Sequence, residues 1–301
     1  MAARAECRTV TSTFEPSDPH ASPSPTLPIQ AWIREYATIV PLSLPDALRL
    51  YSCLLLAGLS RLLSPHQFKG SGRYLIGTKP IRVRRGGLNF FVRPNSEDLL
   101  YTLSLNKPTV AKWFRPLAGD VVVDAGAHTG LYSLIALRAG AKVLAIEPNP
   151  NAAELIYRNA RANGLENIQV IQAALGPAKG QAWLQIPGGW DGKASVVPGW
   201  VGIPPPGTTV RKVMVRVETL DSATAAIKDD QIDWLLIDVE GSELEALRGG
   251  KDALGRTRNL IIEVSDKTYR ECRIILEEGL SFRILAEERQ SAHTGYVVAS
   301  R

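Results

Sequence analysis

The sequence predicts an α/β fold with a Rossmann-like, seven-stranded, mostly parallel sheet and helices on both of its faces. Three observations support this class. From Val121 onward, short apolar strands alternate with segments of helical periodicity, which is the pattern of a doubly wound sheet. The first of these strands is followed by a glycine-containing turn that opens a helix at Leu131. The last two strands, at 282–285 and 294–299, have no helix between them and predict a closing hairpin.

Composition divides the chain into three regions. Residues 1–30 contain five prolines, many serines and threonines and almost no apolar periodicity, which predicts a disordered tail. Residues 31–118 predict an N-terminal helix and a small antiparallel lead-in. Residues 119–301 carry the strand–helix alternation and form the predicted main domain. A glycine- and proline-rich insert at 187–210 interrupts that alternation, and a loop of this length is typical of a lid or a binding loop.

The lead-in begins with an amphipathic helix. Ser43-Leu-Pro-Asp46 has a capping serine, a proline in the first turn and an acid near the positive end of the helix dipole. The apolar residues that share one helical face are Ala47, Leu48, Tyr51, Leu54, Leu55, Leu59 and Leu62. This face predicts a contact with the core or with a second subunit, and the alternative is a helix on a membrane surface. Strands are then predicted at 74–76, 81–83 and 88–92, followed by a helix at 97–114.

Positive charge is concentrated before the main domain. The net charge is only +5, but residues 47–96 contain nine bases and no acid. The nine bases are Arg49, Arg61, Lys69, Arg73, Lys79, Arg82, Arg84, Arg85 and Arg93. Such a field attracts phosphates, nucleic acid or an anionic membrane surface, and a solvated basic face is the alternative.

Composition also indicates the cellular location of the protein and whether it binds a metal. No apolar run reaches the roughly 18 residues of a spanning helix, and no secretory leader is visible. The three cysteines, Cys7, Cys53 and Cys272, are far apart and odd in number, which favours a reducing, cytoplasmic location over a disulfide framework. Four scattered histidines without a paired-cysteine motif argue against zinc, so no metal is predicted.

A candidate cofactor site follows the first core strand. Gly126 and Gly130 allow close backbone approach to a ligand, and Glu147 is placed after the second strand to accept hydrogen bonds from ribose hydroxyls. The loop lacks the Gly-x-Gly-x-x-Gly spacing that seats a pyrophosphate, so a nucleoside without one is favoured, and S-adenosylmethionine is the common case. Asp124 is placed to hold the amino acid end of that cofactor. The alternative is that Asp124 caps its strand and Glu147 is solvated.

Four motifs occur in order along the main domain. They are Asp124-Ala-Gly-Ala-His-Thr-Gly130, Glu147-Pro-Asn-Pro150, Glu218-Thr-Leu-Asp221 and Ile237-Asp-Val-Glu-Gly-Ser-Glu243. Together they resemble the FkbM family of S-adenosylmethionine-dependent methyltransferases, over roughly residues 81–299. The resemblance implies a class I methyltransferase fold and methyl transfer to a hydroxyl oxygen of a natural product or a sugar.

The resemblance also implies the cofactor contacts. In chain order these are Asp124, Gly126, Ala127, His128, Gly130, Glu147, Pro148, Asn149, Ala173 and Asp238. Asp124, Gly126, His128 and Gly130 line the methionine side, Glu147 holds the ribose, and Ala173 lies against the adenine. Asp238 ends the fourth core strand, at the sheet edge where ligands of such folds bind.

Two carboxylates form the candidate catalytic pair. Asp238 and Glu240 are two residues apart on an extended segment, so both side chains can point into one cleft. A carboxylate there can accept the proton of an attacking hydroxyl or hold the cationic sulfonium, which predicts Glu240 as the base and Asp238 as a positioning group. His128 is a further candidate base, and a role in loop geometry alone is the alternative. Ser242-Glu-Leu-Glu245 has the spacing of a helix capping box, so Ser242 and Glu245 are predicted to be structural.

Candidate acceptor contacts are Trp190, Ser195 and Trp200 in the insert and Glu263 at the end of the fifth core strand. The tryptophans are suited to cover a ring or a sugar, or to form a small core of the insert. The leading hypothesis is O-methylation of a small-molecule or glycan hydroxyl. The alternatives are an RNA methyltransferase that uses basic residues 47–96 and a non-catalytic, cofactor-binding interaction protein. Peripheral membrane contact is a further option for the basic region, and the sequence leaves the oligomeric state open.

Overall fold

The computed structural model describes residues 29–63, 75–102, 107–200, 208–291 and 293–301. The tail predicted to be disordered lies outside these ranges except for its last two residues, and so does the centre of the insert, at 201–207. The division of the chain at 30/31 and 118/119 stays a prediction.

The described ranges contain thirteen strands and ten α-helices. The strands are β1 (Val40–Pro41), β2 (Ile81–Arg85), β3 (Leu88–Val92), β4 (Val121–Ala125), β5 (Lys142–Ile146), β6 (Ile168–Ile171), β7 (Ala174–Leu175), β8 (Gly180–Pro187), β9 (Val210–Glu218), β10 (Ile232–Ile237), β11 (Thr257–Ser265), β12 (Arg283–Arg289) and β13 (Thr294–Ser300). The helices are α1 (Ile29–Tyr36), α2 (Leu44–Leu63), α3 (Asp98–Tyr101), α4 (Pro108–Trp113), α5 (Leu131–Arg138), α6 (Pro150–Ala162), α7 (Leu220–Thr224), α8 (Glu243–Arg248), α9 (Lys251–Gly255) and α10 (Tyr269–Ile274).

Seven of the strands form the main sheet, in the order β12-β13-β11-β10-β4-β5-β6. Strands from β11 to β6 pair in parallel, whereas β13 runs antiparallel to both β11 and β12. The predicted Rossmann-like sheet with a closing hairpin is therefore confirmed. The chain order reverses between β4 and β10, and the carboxyl ends of strands at such a switch point border a ligand crevice.

The sheet separates two apolar cores. All of β4 is buried, and its alternate side chains point to opposite faces, with Val122 in one core and Val123 in the other. The first core also receives Leu50 from α2 and Phe90 from β3. The second receives Cys272 from α10. The lead-in and α10 therefore cover opposite faces of the same sheet.

The lead-in contains a three-stranded antiparallel sheet, β1-β2-β3. In β2, Ile81 and Val83 are buried while Arg82 and Arg84 are exposed, which is the alternation expected of a strand with one covered face. The strands predicted at 81–83 and 88–92 are confirmed. The strand predicted at 74–76 is wrong for residues 75 and 76, which belong to no strand, and residue 74 lies outside the described part of the chain.

The single helix predicted at 97–114 is also wrong. Two short helices, α3 and α4, occupy this segment, and residues 103–106 between them are outside the described ranges. Pro108 stands in the first turn of α4. A proline there costs little because its missing N–H has no helical partner, whereas inside a continuous helix its ring would clash with the preceding turn.

Helix α2 is present, but its predicted core face is turned outward. The residues that enter the core are Leu50, Cys53 and Ala57, all fully buried. Leu48 and Leu55 on the predicted face are 63% and 65% exposed. The predicted core contact is therefore wrong for Leu48, Tyr51, Leu55 and Leu59, whereas Leu54 of the same face packs against the core. No helix in the described ranges is both long and apolar enough to cross a membrane.

The insert lies between the strands of a second, smaller sheet, with the order β7-β9-β8. Strands β8 and β9 flank the insert, as the sequence predicts. After β8 the chain forms a short 3-10 helix at Asp191–Lys193, and Ser195 then pairs with Gln185 in an isolated bridge. The described part of the insert thus folds back onto the strand from which it leaves.

Asn159 joins the lead-in to the main domain, and its replacement tests that connection. Its buried side chain accepts the Phe91 N–H at 2.8 Å and donates to the Thr129 carbonyl at 2.9 Å. We expect Asn159→Ala to lower the free energy of unfolding by about 2–4 kcal/mol, because two backbone groups lose their partners. The control is Asn151→Ala at an exposed position of the same helix, with an expected change below about 0.5 kcal/mol. Urea denaturation measures both, and similar losses for the two variants would contradict this role of Asn159.

Candidate active site

A cleft opens at the carboxyl edge of the main sheet, beside the switch point. The predicted site residues that line it are Gly126, His128, Glu147, Pro148, Ala173, Asp238 and Glu240. Four other predicted cofactor residues, Asp124, Ala127, Gly130 and Asn149, are buried and do not line this cleft. The structure thus brings together residues from the ends of three parallel strands, β4, β5 and β10.

The glycine loop after β4 is pressed against the chain that follows β10. Gly126 has a φ of +86°, and a Cβ at this position would lie 1.9 Å from the backbone carbonyl oxygen of Asp238. Only glycine fits both the conformation and the contact. Gly130, with a φ of +81°, begins α5 against the side chain of Ile156. The loop therefore has little space except toward the cleft.

Asp124 is bound to the first turn of α5. Its Oδ2 accepts hydrogen bonds from the Ser133 backbone N–H at 3.0 Å and from the Ser133 hydroxyl at 2.6 Å. Burial raises the pKa of Asp124, and these hydrogen bonds and Lys107 oppose that shift. Ser133 was missed from the sequence, although a serine in the first turn of a helix that follows an acid is a recognisable signal. The contact of Asp124 with the cofactor stays a prediction.

Glu147 is buried and organises the backbone around it. Its two carboxylate oxygens accept the N–H groups of His128 and Asn149, each at 2.8 Å. The alternative of a solvated Glu147 is wrong, since only 5% of the residue is exposed. Burial raises its pKa, while the nearby His128 and the two N–H groups lower it. Each carboxylate oxygen can accept a further hydrogen bond, so Glu147 retains capacity for ribose hydroxyls.

His128 contacts the insert across the cleft. Its backbone has a φ of +49°, and its ring lies against Tyr101, with 4.4 Å between the ring centroids. Nε2 is 3.6 Å from Oδ2 of Asp191, which is an ion-pair distance rather than a hydrogen bond. Burial alone would lower the pKa of His128, but the carboxylates of Asp191 and Asp98 raise it above the ordinary value. The imidazole is therefore stabilised in its charged form, which is the poorer state for a base.

A buried ionic network extends from the lead-in to the insert. Arg93 donates to Asp98 at 2.6 Å and to Asp191 at 2.5 Å. Arg93 is one of the nine bases in residues 47–96, but its side chain is only 18% exposed and forms ion pairs with these two acids. Beside this network, burial raises the pKa of Glu97 to about 7, an effect that Lys193 and His128 partly offset. The sequence carries no signal for a pairing that spans 98 residues.

The predicted catalytic pair is part of a cluster of three carboxylates. Oxygens of Asp238, Glu240 and Glu263 all lie within 4.8 Å of one another. Asp238 accepts hydrogen bonds from Tyr296 at 2.7 Å and from Lys107. Sequence analysis did not single out the lysine or the tyrosine. Burial alone would raise the pKa of Asp238, but Lys107 and Tyr296 lower it below its ordinary value.

Glu240 is held by the insert. Its carboxylate accepts Lys193 Nζ at 2.8 and 3.1 Å and Trp200 Nε1 at 3.2 Å. Ser195 is buried, and its hydroxyl donates to the Glu240 backbone carbonyl at 2.7 Å. The structure therefore places Ser195 under the catalytic segment, and its predicted substrate contact has no direct support. The Glu240 backbone has a φ of +49°, which directs its side chain away from the strand path.

Glu263 differs from its two neighbours in its hydrogen bonding. It is 4% exposed, and Oε2 has no hydrogen-bond partner among the described residues. Burial and the nearby charges of Asp238 and Glu240 raise its pKa well above the ordinary value. A buried carboxyl group with an unpartnered oxygen is costly, so its position calls for a ligand or a proton.

A larger groove adjoins the cleft at Glu240. Three predicted acceptor contacts, Trp190, Trp200 and Glu263, line it together with Glu240. Its charged lining also includes acids Glu245 and Asp266 and bases Lys193, Lys267 and His293. The cleft and the groove therefore meet at the carboxylate cluster.

The start of α8 differs from the expected capping arrangement. Ser242 stands at the helix N-terminus but makes no capping hydrogen bond through its side chain. Glu243, rather than the predicted Glu245, reaches back and accepts the Gly241 N–H at 2.9 Å. Burial raises the pKa of Glu243 to about 8. The predicted capping box is wrong because the left-handed turn at Glu240 and Gly241 redirects the chain before the helix.

The chemistry of the cleft fits S-adenosylmethionine. Glu147 offers acceptors for a diol, the Gly126 backbone permits close approach, and Asp238 and Glu240 place negative charge where a sulfonium would be attracted. Nothing in this donor set resembles a diphosphate site, which would require a glycine-rich helix N-terminus of different spacing.

The contact at Gly126 can be tested by two alanine substitutions. Gly126→Ala and Gly119→Ala place a Cβ at similar positive φ angles, but Gly119 has no atom within 4 Å of that Cβ. We expect Gly119→Ala to cost about 1–2 kcal/mol of unfolding free energy for its backbone alone. Gly126→Ala should cost about 1–3 kcal/mol more because of the clash. It should also weaken S-adenosylmethionine binding at least about tenfold, as measured by calorimetry. Equal cofactor affinity in the two variants would contradict the assignment of the loop.

Comparisons with known proteins agree with the geometry. The sequence model of the methyltransferase FkbM domain matches residues 124–291, more than half of the chain. The chain is 26% identical over 187 residues to the 2-O-methyltransferase NoeI of Sinorhizobium fredii, an alignment that covers 56% of this chain and 74% of NoeI. It is 30% identical over 168 residues to the methyltransferase sdnD of Sordaria araneosa, with 47% of this chain and 65% of sdnD covered.

Among solved structures, the chain is similar to an S-adenosylmethionine-dependent methyltransferase from Aquifex aeolicus, at 15% identity and a TM-score of 0.38, with 65% of this chain and 91% of that chain covered. Trm5b from Pyrococcus abyssi has 12% identity and a TM-score of 0.43, with 75% and 57% covered. Because these TM-scores are low, the assignment rests on the family match, on the observed sheet and on the cleft. The chain belongs to the FkbM family of methyltransferases and uses S-adenosylmethionine as its methyl donor.

Proposed function

We propose that the protein transfers a methyl group to a hydroxyl oxygen of a small molecule or a sugar. The observation that carries this proposal is the cluster of Asp238, Glu240 and Glu263 at the junction between the cofactor cleft and the groove. An alcohol is a poor nucleophile until its proton is removed, and a carboxylate beside the acceptor site can take that proton. The name of NoeI, a 2-O-methyltransferase, supports oxygen as the acceptor atom.

The proposed cofactor contacts follow the predicted set. Glu147 holds the ribose, the Gly126 and His128 segment lies along the methionine end, and Ala173 packs against the adenine. When it is bound, S-adenosylmethionine supplies an activated methyl group on a positively charged sulfur. Asp238 faces this part of the cleft, and its lowered pKa keeps it negatively charged. Lys107 and Tyr296 fix its orientation, which supports the positioning role proposed for Asp238.

Glu263 is the stronger candidate for the base. The sequence favours Glu240 as the base, but both Glu240 oxygens accept hydrogen bonds from Lys193 and one also accepts the Trp200 N–H. These donors hold the carboxylate in one orientation and occupy acceptor positions on both of its oxygens. Glu263 has an unpartnered oxygen and a raised pKa, which are the properties of a proton acceptor. We therefore assign proton removal to Glu263 and orientation of the acceptor to Glu240 with Lys193. His128 remains a less favoured base because Asp191 stabilises its charged form.

In the proposed step, the proton of the acceptor hydroxyl moves to a Glu263 oxygen as the hydroxyl oxygen forms a bond to the methyl carbon. With S-adenosylmethionine bound, the carbon–sulfur bond would break and its electron pair would stay on sulfur. Protonated Glu263 later returns its proton to water. Trp190 and Trp200 border the groove and are suited to cover a ring or a sugar above the reacting hydroxyl.

The charge of the groove favours an uncharged acceptor. Its lining contains four acids, Glu240, Glu245, Glu263 and Asp266, against two lysines and one histidine. A polyanion such as RNA would find no excess of positive charge there to bind. The RNA methyltransferase and the non-catalytic binding protein are thus the less supported alternatives. A cytoplasmic location also stays a prediction.

The direct test of the function is transfer to a defined panel of acceptors. Purified protein and S-adenosylmethionine would be incubated with sugars, other polyhydroxylated small molecules and RNA, and products analysed by mass spectrometry for the addition of one methyl group. Alkaline-stable methyl ethers on a hydroxyl support the proposal. Exclusive methylation of nitrogen, or of RNA, would overturn it.

Two glutamine variants separate the roles of the carboxylates. We expect Glu263→Gln to lower kcat by about 10²–10⁴-fold with cofactor affinity retained, because the proton acceptor is lost. Glu240→Gln should change KM for the acceptor more than kcat. The control is Glu271→Gln, an exposed carboxylate on α10, with unchanged kinetics. A greater loss of kcat in Glu240→Gln than in Glu263→Gln would return the base role to Glu240.

The pH profile gives an independent check. A base must be deprotonated, so kcat/KM in the wild type should rise with pH through the pKa of Glu263, which lies above the ordinary range for glutamate. Activity is then lost as pH falls below that pKa. The same rise should be absent from the residual activity of Glu263→Gln. An unchanged profile in this variant would exclude Glu263 as the titrating group.

A further inference from the structure

Helix α2 exposes a continuous apolar stripe. Its members are Leu44, Leu48, Tyr51, Leu55, Leu56 and Leu59, each at least 40% exposed. Their spacing of three, four and one residues places them on one side of the helix, opposite the buried Leu50, Cys53 and Ala57. From Leu44 to Leu59 the stripe extends about 22 Å along the helix axis. Single exposed leucines are ordinary, but a stripe of this length indicates a contact surface.

The apolar surface continues beyond the helix. Arg49 of α2 donates through Nε to the carbonyl of Ile76 at 2.7 Å, and Ile76 is itself 60% exposed. Strand β1 also packs beside α2, and its Val40 is exposed. Exposed apolar residues therefore also occur on segments that contact the helix.

Exposed basic side chains occur on the strand next to α2. Residues 47–96 contain no acid, the exposed Arg82 and Arg84 belong to β2, which contacts α2, and the exposed Lys79 lies just before that strand. Arg82 Nε lies 3.5 Å from Asp46 Oδ2 at the start of the helix, so this base of β2 is close to the beginning of the stripe. Asp46 is buried and also accepts the Ser43 hydroxyl. The exposed charge beside the stripe is therefore dominated by cations.

We propose that α2 binds the surface of an anionic membrane, with its apolar stripe among the acyl chains and the neighbouring bases at the lipid phosphates. A helix with one strongly apolar side, lying in the plane of the interface beside basic residues, matches the requirements of such binding. It differs from a spanning helix, which no described helix is suited to form.

Charge complementarity favours lipid over a second copy of the chain. A two-fold dimer through this surface would bring the bases of both copies to one interface, and residues 47–96 contain no acid to offset them. An anionic bilayer instead neutralises the same bases. Nucleic acid would also neutralise them, but its backbone offers no contact for a stripe of leucines.

Vesicle flotation of the full chain tests this proposal. Vesicles of phosphatidylcholine are compared with vesicles in which phosphatidylglycerol replaces part of it, at low and high salt. We expect binding to the anionic vesicles, at least about tenfold weaker binding to neutral ones, and weakening by salt because screening reduces the attraction of the bases. The double variant Leu48→Glu/Leu55→Glu should lower the partition coefficient by at least about tenfold. Lys79→Gln/Arg84→Gln should lower it several-fold on anionic vesicles only.

Control variants and measurements separate a loss of membrane binding from a loss of folding. Ile274→Glu changes an exposed aliphatic residue on α10, which covers the opposite face of the sheet, and should leave vesicle binding unchanged. All variants should retain the wild-type circular dichroism spectrum and S-adenosylmethionine affinity. Absence of binding to anionic vesicles, or equal binding to neutral ones, would overturn the proposal. So would a wild-type dimer in sedimentation analysis that Leu48→Glu/Leu55→Glu converts to monomer, because the surface would then be a subunit interface.

Discussion

The contact between Gly126 and the backbone of Asp238 is the constraint on which the site depends. The segments after β4 and β10 leave neighbouring strands at the point where chain order reverses, and a side chain at Gly126 would force them apart. Their contact makes one cleft from two motifs that are more than a hundred residues apart in sequence. Each segment then contains a non-glycine residue with a φ of +49°, His128 in one and Glu240 in the other. These left-handed residues, unfavourable in isolation, turn functional side chains across the same cleft.

Buried charge is the second determinant of the site, and its balance explains the difference among the acids. Asp238 and Glu240 each have a lysine partner, Lys107 and Lys193, and both lysines have raised pKa values because these acids outweigh the effect of burial. Glu263 has no such partner among the described residues. Three carboxylates against two ammonium groups leave one negative charge that burial makes costly. A proton or a positively charged ligand in the cleft relieves that cost, which couples the ionisation of Glu263 to the occupancy of the site.

The sequence predicted the sheet, the cofactor loop and the candidate pair because these depend on local patterns and on topology. Glu147 and Asp238 follow strands that must be parallel, so their shared edge could be inferred without coordinates. The ionic partners of the site residues could not be inferred in this way. Arg93 and Asp191 are 98 residues apart in the sequence, and Lys107 and Asp238 are 131 residues apart. The sequence therefore predicted Arg93 as part of a basic field, since pairing across the fold depends on packing between the lead-in, the insert and the sheet.

Helix α2 shows a different limit of sequence periodicity, because two apolar stripes compete for the core. The stripe that is buried contains the small residues Cys53 and Ala57, and small side chains let the helix approach β2 closely. The larger leucines of the other stripe remain outside, although their transfer from water would release more free energy. Close packing within the domain thus decided the orientation, rather than the amount of apolar surface. Burial of the exposed stripe would release free energy that folding of the domain does not. Because bases lie beside the stripe, an anionic surface is a better partner for it than a second copy of the chain.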